Sequence, residues 1–215
     1  MAKNRSLQDD DWLLLMQVYL QKPIGMKPLY SRALVELGLE LHISPQELFA
    51  RQCDIANRET TRVQHLWQKY GEKPGKLKRA VERLRRMRDL GSNGDFYDGV
   101  EVEETFEHDF RPLAEDHRLM PVMLILILDL YFRLTPLTMV TETPEVQELA
   151  SMMGIPAQLV VDVMKVFLGC DPYLNRYSAV DSPLRAPCQQ AWQHYGNIDT
   201  QQLASYAEQL KEYFK

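Results

Sequence analysis

Seven cations fall within thirteen residues of this chain. Lys76, Lys78, Arg79, Arg83, Arg85, Arg86 and Arg88 accompany a single carboxylate, Glu82, and give residues 76–88 a net charge of +6. Leu77, Val81 and Leu84 stand among them at i, i+4 and i+7, the spacing of one helix face. A helix with so many cations around an apolar stripe is suited to neutralising phosphates. Each phosphate neutralised releases counterions, so nucleic-acid binding by such a helix is salt-dependent. A second set of candidates lies upstream, in Ser44-Pro45-Gln46-Glu47-Leu48-Phe49-Ala50-Arg51-Gln52. Gln46, Arg51 and Gln52 carry donors and acceptors of the kind that read base edges, although Glu47 is unfavourable beside phosphate. The expected nucleic-acid-binding residues are therefore Gln46, Arg51, Gln52, Lys76, Lys78, Arg79, Arg83, Arg85 and Arg86. The alternative for the basic helix is a solvated face, or one covered by acidic chain.

The charge inverts directly after that helix. Residues 89–118 hold ten carboxylates against two arginines, a net charge of −8. A connector folded back on the helix must touch it, because attraction is screened beyond roughly 10 Å at 0.1 M salt. Glu101, Glu103, Glu104 and Glu107 would then form an electrostatic gate against nucleic acid. Asp95 to Phe106 alternates in the manner of a strand. His108-Asp109 is similar to the dipeptide of metal-dependent HD hydrolases. Such a site needs further His and Asp ligands on neighbouring helices. His42 falls in a turn, and His65 and His194 lack a ligand four residues on. For His108 and His117, ordinary connector polarity is the simpler reading, and metal-dependent hydrolysis is the remote one. Gly-rich phosphate loops, CxxC pairs and a GxSxG elbow are absent. No catalytic residue, metal or cofactor is expected.

The elements that must position these residues occur twice. Trp12, Leu15, Met16 and Tyr19 share one helix face, and Leu124, Ile127, Leu128 and Tyr131 repeat the pattern 112 positions later. Leu34, Leu37 and Leu41 are matched at the same offset by Val146, Leu149 and Met153. Ser31 and Thr143 precede these second helices as N-caps, and Pro144 takes a first helical position. Leu41-His42-Ile43-Ser44 matches Met153-Gly154-Ile155-Pro156 as a tight turn. Gly154 suits the left-handed residue that closes a helix, and His42 tolerates that region. Ser44 then caps a third helix, with Glu47 expected to complete a capping box. Helix, tight turn and helix is the layout of a helix-turn-helix. In the fourth helix Leu66-Trp67-Gln68-Lys69-Tyr70-Gly71 returns as Ala191-Trp192-Gln193-His194-Tyr195-Gly196, now 125 positions on. The shift places about 13 extra residues in the second copy, between Tyr173 and Arg185. Leu77, Val81 and Leu84 of the fifth helix match Leu203, Ala207 and Leu210. Trp67, Trp192, Tyr131 and Phe167 are expected in the core.

The second copy carries Leu130-Tyr131-Phe132, Pro144-Glu145, Glu148-Leu149-Ala150, Gly154, Met164-Lys165, Phe167 and Asp171-Pro172. In these residues it resembles a helical segment near the N-terminus of some bacterial HNH-nuclease-associated proteins. The resemblance implies a helix-turn-helix accessory domain and not the nuclease, since no His-Asn-His constellation is present.

The expected fold is all-α, with two tandem related helical modules of about five helices each and a helix-turn-helix-like core. The first module covers 1–90 and the second 119–215. An acidic connector, 91–118, holds the short strand. The apolar run from Leu119 to Leu128 is interrupted by Pro121 and falls short of the roughly 20 apolar residues of a spanning helix. No membrane partner is expected. Met-Ala-Lys-Asn-Arg-Ser lacks the apolar stretch of a secretory signal. Cys53, Cys170 and Cys188 are odd in number and without CxxC spacing, which points to reduced thiols in the cytoplasm. The expected role is a non-enzymatic DNA-associated or transcription-regulatory protein. Its first module would contact DNA, and its second, whose third helix (Ala157 to Lys165) is nearly all apolar, would pack or bind a protein partner. The alternative is a protein-interaction scaffold with no nucleic-acid role.

Overall fold

Runs of apolar residues at helical spacing, punctuated by Ser, Thr, Pro and Gly, become helices here. The computed structural model describes residues 7–8, 10–91, 106–174 and 182–215. Ten α-helices and no strand occur among them, so the chain is all-α. The chain divides into two units, Met1–Thr105 and Phe106–Lys215. The strand-like stretch lies outside the described residues except for Phe106, which opens a 3-10 turn, Phe106–Phe110.

The first unit holds α1 (Asp11–Leu20), α2 (Arg32–Leu41), α3 (Pro45–Asn57), α4 (Thr61–Tyr70) and α5 (Pro74–Gly91). Trp12, Leu14, Leu15, Met16 and Val18 are all buried, so α1 is apolar on most sides and runs through the core. It packs against α2, α3 and α5. His42 closes α2 in the left-handed region, with φ 56° and ψ 40°. Ile43 follows and is buried. Ser44 Oγ then accepts a hydrogen bond from the Glu47 N–H at 3.3 Å, and Pro45 takes the first position of α3. The Glu47 carboxylate lies 4.0 Å from Arg51, so it serves the next turn instead of closing the expected box.

The second unit holds α6 (Pro121–Arg133), α7 (Pro144–Met153), α8 (Ala157–Leu168), α9 (Arg185–Tyr195) and α10 (Thr200–Lys211). Every residue of α6 from Val122 to Tyr131 is buried, which makes it the central helix of its unit. Gly154 closes α7 with φ 69° and ψ 28°. The axes of α7 and α8 bend by 109° across the turn, within the range of a helix-turn-helix pair. Residues 106–118 belong to this unit: Phe110 and Leu113 are buried, and the Leu113 N–H donates to the Leu119 carbonyl at 2.8 Å. Among the described residues, no single helix is long and apolar enough to cross a membrane.

Connection lengths agree between the units at one turn and differ elsewhere. Residues 42–44 and 154–156 join the second and third helices. Three residues, 58–60, separate α3 from α4, and sixteen, 169–184, separate α8 from α9. Two further local expectations fail. Ser31 and Thr143 sit at the N-cap positions, but neither side chain caps its helix. The Thr143 hydroxyl instead donates to the Thr138 carbonyl at 2.6 Å, which pins the α6–α7 loop. Trp67 is only half-buried, whereas Trp192, Tyr131 and Phe167 are buried as expected.

Candidate nucleic-acid interface

The basic helix α5 is held to its unit by Leu77, Val81 and Leu84, all buried. A helix turns about 100° per residue, so these three set the direction of the core and sort the cations around it. Lys76, Arg79, Arg83 and Arg86 share one outward sector of about 80° at i, i+3, i+7 and i+10. All four are exposed. None of the four has a carboxylate within ion-pair reach among the described residues. The Lys76 ammonium stands 5.7 Å from the centre of the Tyr70 ring.

The other three cations are placed differently. Lys78 and Arg85 lie on the opposite flank, and Arg85 makes two bonds to the Glu40 carboxylate of α2, at 3.0 and 2.8 Å. Arg88 turns inward to Asp11, which is fully buried, at 2.5 Å. The other oxygen of Asp11 accepts the Gln8 N–H at 2.8 Å. Arg88 therefore anchors α5 on α1, and Arg85 forms an exposed ion pair with α2, apart from the stripe.

The α3 candidates are corrected further. Gln52 is fully buried, and its carbonyl oxygen accepts the Lys27 N–H at 2.7 Å. It pins the α1–α2 loop and cannot reach a base. Lys27 is itself buried, its ammonium donating to the carbonyls of Gln21 at 2.7 Å and of Pro23. Desolvation lowers the pKa of that ammonium below its ordinary value. Arg51 is exposed but lies 3.3 Å from Asp54 and 4.0 Å from Glu47. Two carboxylates on one guanidinium leave that face of α3 without positive charge. Gln46 alone of the three is exposed and uncharged, and its amide donates to the Tyr30 hydroxyl at 2.6 Å. The structure thus gathers Lys76, Arg79, Arg83 and Arg86 on one stripe and disperses the rest. The helical wheel already contains that sorting. The Glu40 and Asp11 partners, 45 and 77 residues away in sequence, are not visible there.

Among its described residues, the second unit presents no comparable cationic face. In α10, Leu203, Ala207 and Leu210 are buried, and Lys211 is the one cation of the helix. A shallow cleft of about 110 Å³ lies between Leu130, Arg133, Glu145, Glu148, Leu149 and Lys211. It is smaller than a typical ligand pocket, and its two cations and two carboxylates favour neither sign of charge. Glu107, expected in the acidic gate, is buried and paired with Arg111 at 2.8 Å. It is a structural ion of the second unit. Glu101, Glu103 and Glu104 lie outside the described residues. His108 stands 3.6 Å from Asp109. Burial raises the Asp109 pKa, against the pull of His108 and His194. Among the described residues, no group of three His, Cys, Asp or Glu side chains could hold a metal ion.

Two exposed features of the second unit have no signal in the sequence pattern. Leu137 is 91% exposed at the tip of the α6–α7 loop, and Tyr173 is 94% exposed. The loop around Leu137 is pinned by bonds of Thr135 with Thr138, of Thr143 with Thr138, and of Gln147 with Thr141. Exposure of a single Leu depends on what packs around it, which neighbours in the chain do not reveal. No protein-family profile, curated protein or solved structure matches this chain.

Proposed function

We propose that this chain is a non-enzymatic, DNA-associated protein of regulatory type, whose first module contacts nucleic acid. The observation that carries the reading is the stripe of Lys76, Arg79, Arg83 and Arg86, exposed and without carboxylate partners among the described residues. Unpaired cations aligned on one rigid face are what a polyphosphate recognises. The second module shows no such face among its described residues and serves packing or a protein partner. The three free cysteines fit a reducing, cytoplasmic compartment.

The two units are copies of one helix-turn-helix-like module. Their matching turns, His42 and Gly154, both adopt left-handed backbone. Tyr19 meets Trp67 edge-on at 6.1 Å and 85°, and Tyr131 meets Trp192 edge-on at 5.7 Å and 76°. A Cβ added at Gly71 would lie 2.7 Å from the Trp67 carbonyl oxygen, and one at Gly196 would lie 2.6 Å from that of Trp192. Both units therefore need glycine after the same Trp-x-x-Tyr helix. Agreement in turn, ring pair and close approach favours descent from one module over chance similarity of helices.

A salt-titrated binding assay of the full chain with duplex and single-stranded DNA tests the reading. Binding at low ionic strength that weakens steeply with salt is expected. No binding to either at low ionic strength makes the protein-interaction scaffold the function, with Leu137 on its pinned loop as the contact to examine. An exposed apolar side chain held without freedom is a suitable anchor for a partner's pocket.

A further inference from the structure

We propose that α5 grips the phosphate backbone of duplex DNA and that the first module reads no base sequence. This rests on the nucleic-acid reading above and specifies what is recognised. Lys76 to Arg86 spans ten residues, about 15 Å of helix at 1.5 Å per residue. One DNA strand presents a phosphate about every 3.4 Å along the axis, so this stripe runs beside four to five phosphates. The four cations step along α5 by about 4.5 and 6 Å, a spacing that lets long, flexible side chains reach successive phosphates.

Base reading needs a different surface. It requires exposed donors and acceptors on a helix that enters the major groove, held there by cations that neutralise the flanking phosphates. In α3, Gln52 is inside the core, Arg51 is shared by Asp54 and Glu47, and Gln46 is bonded to Tyr30. Glu47 and Asp54 would also face the phosphates that flank a groove. The turn preceding α3 has the helix-turn-helix layout, but the groove-facing chemistry is missing. On α5 the order is reversed. All four stripe residues are cations, which position without specifying, and the stripe holds no amide or carboxylate that could discriminate bases.

The experiment is fluorescence anisotropy of the full chain with labelled duplexes of unrelated sequence, titrated with salt. The affinities should agree across duplexes, where a base-reading protein separates them by roughly tenfold or more. The slope of log K against log salt should be about −3.6, or about −0.9 for each of four phosphates. Arg83→Ala and Arg86→Ala should each flatten the slope by about 1. Lys165→Ala, in the second unit, should leave it unchanged. Thermal melts by circular dichroism check that each variant folds. A strong sequence preference erased by Gln46→Ala overturns the inference and leaves the DNA-associated function standing. Preference for single-stranded DNA or duplex RNA over duplex DNA also overturns it. No binding to any nucleic acid at low salt removes both the inference and the function.

Discussion

Trp67 and Trp192 each sit four residues before a glycine and each meet a tyrosine of the central helix edge-on, yet their surroundings differ. Trp192 is buried, its ring 5.4 Å from that of Phe132 and 6.3 Å from that of Phe167. Trp67 is half-buried. Its indole N–H donates to the Ile55 carbonyl at 3.0 Å, and the Arg58 guanidinium lies over its ring at 4.7 Å. The second unit closes this corner with aromatic rings, and the first closes it with an arginine. The same contrast runs through the fifth helix, cationic in α5 and nearly neutral in α10. The two units therefore present different surfaces. The second unit invests its residues in packing, and the first leaves charge at the surface where a polyanion can reach it.

The comparison breaks most easily at the aromatic corner. Phe167→Ala or Trp192→Ala should cost about 3–5 kcal/mol, because the surrounding rings cannot collapse into the void. Trp67→Ala should cost clearly less, since part of its ring already faces solvent. Denaturant melts of the three variants check this, and equal losses would mean that the two corners are packed alike.

The ion pairs of α5 sharpen the contrast between paired and free cations. Arg88→Ala leaves the carboxylate of Asp11 buried without its partner and should cost about 3 kcal/mol. Arg85→Ala removes an exposed pair with Glu40 and should cost about 1 kcal/mol or less. Urea melts of the two variants read the difference directly.

The smallest expected effect is in the acid response of the second unit. Asp116 accepts hydrogen bonds from the backbone and guanidinium of Arg118, which hold its pKa at about 2. A carboxylate with a depressed folded pKa stabilises the fold above its ordinary pKa near 4 and loses that contribution as pH falls towards 2. Arg118→Ala should therefore weaken the unit slightly at neutral pH and flatten its stability between pH 4 and 2. In a Trp12→Phe, Trp67→Phe background, Trp192 fluorescence follows this unit alone.

Local features of this protein are legible in its sequence. The left-handed turn at His42, the cap at Ser44 and the start of α7 at Pro144 depend on residues only a few positions apart. Backbone sterics and short-range hydrogen bonding determine such features wherever the segment is placed. Tertiary structure decided which polar groups are tied to distant partners. Gln52 has the polar side chain of a reader, yet the Lys27 N–H, 25 residues away, fixes it in the core. Arg85, Arg86 and Arg88 are near neighbours in sequence, but one holds Glu40, one faces solvent and one reaches buried Asp11. Charge type and helical period belong to the sequence. Whether a cation anchors the fold or stays free for a ligand depends on which distant carboxylate packing brings beside it.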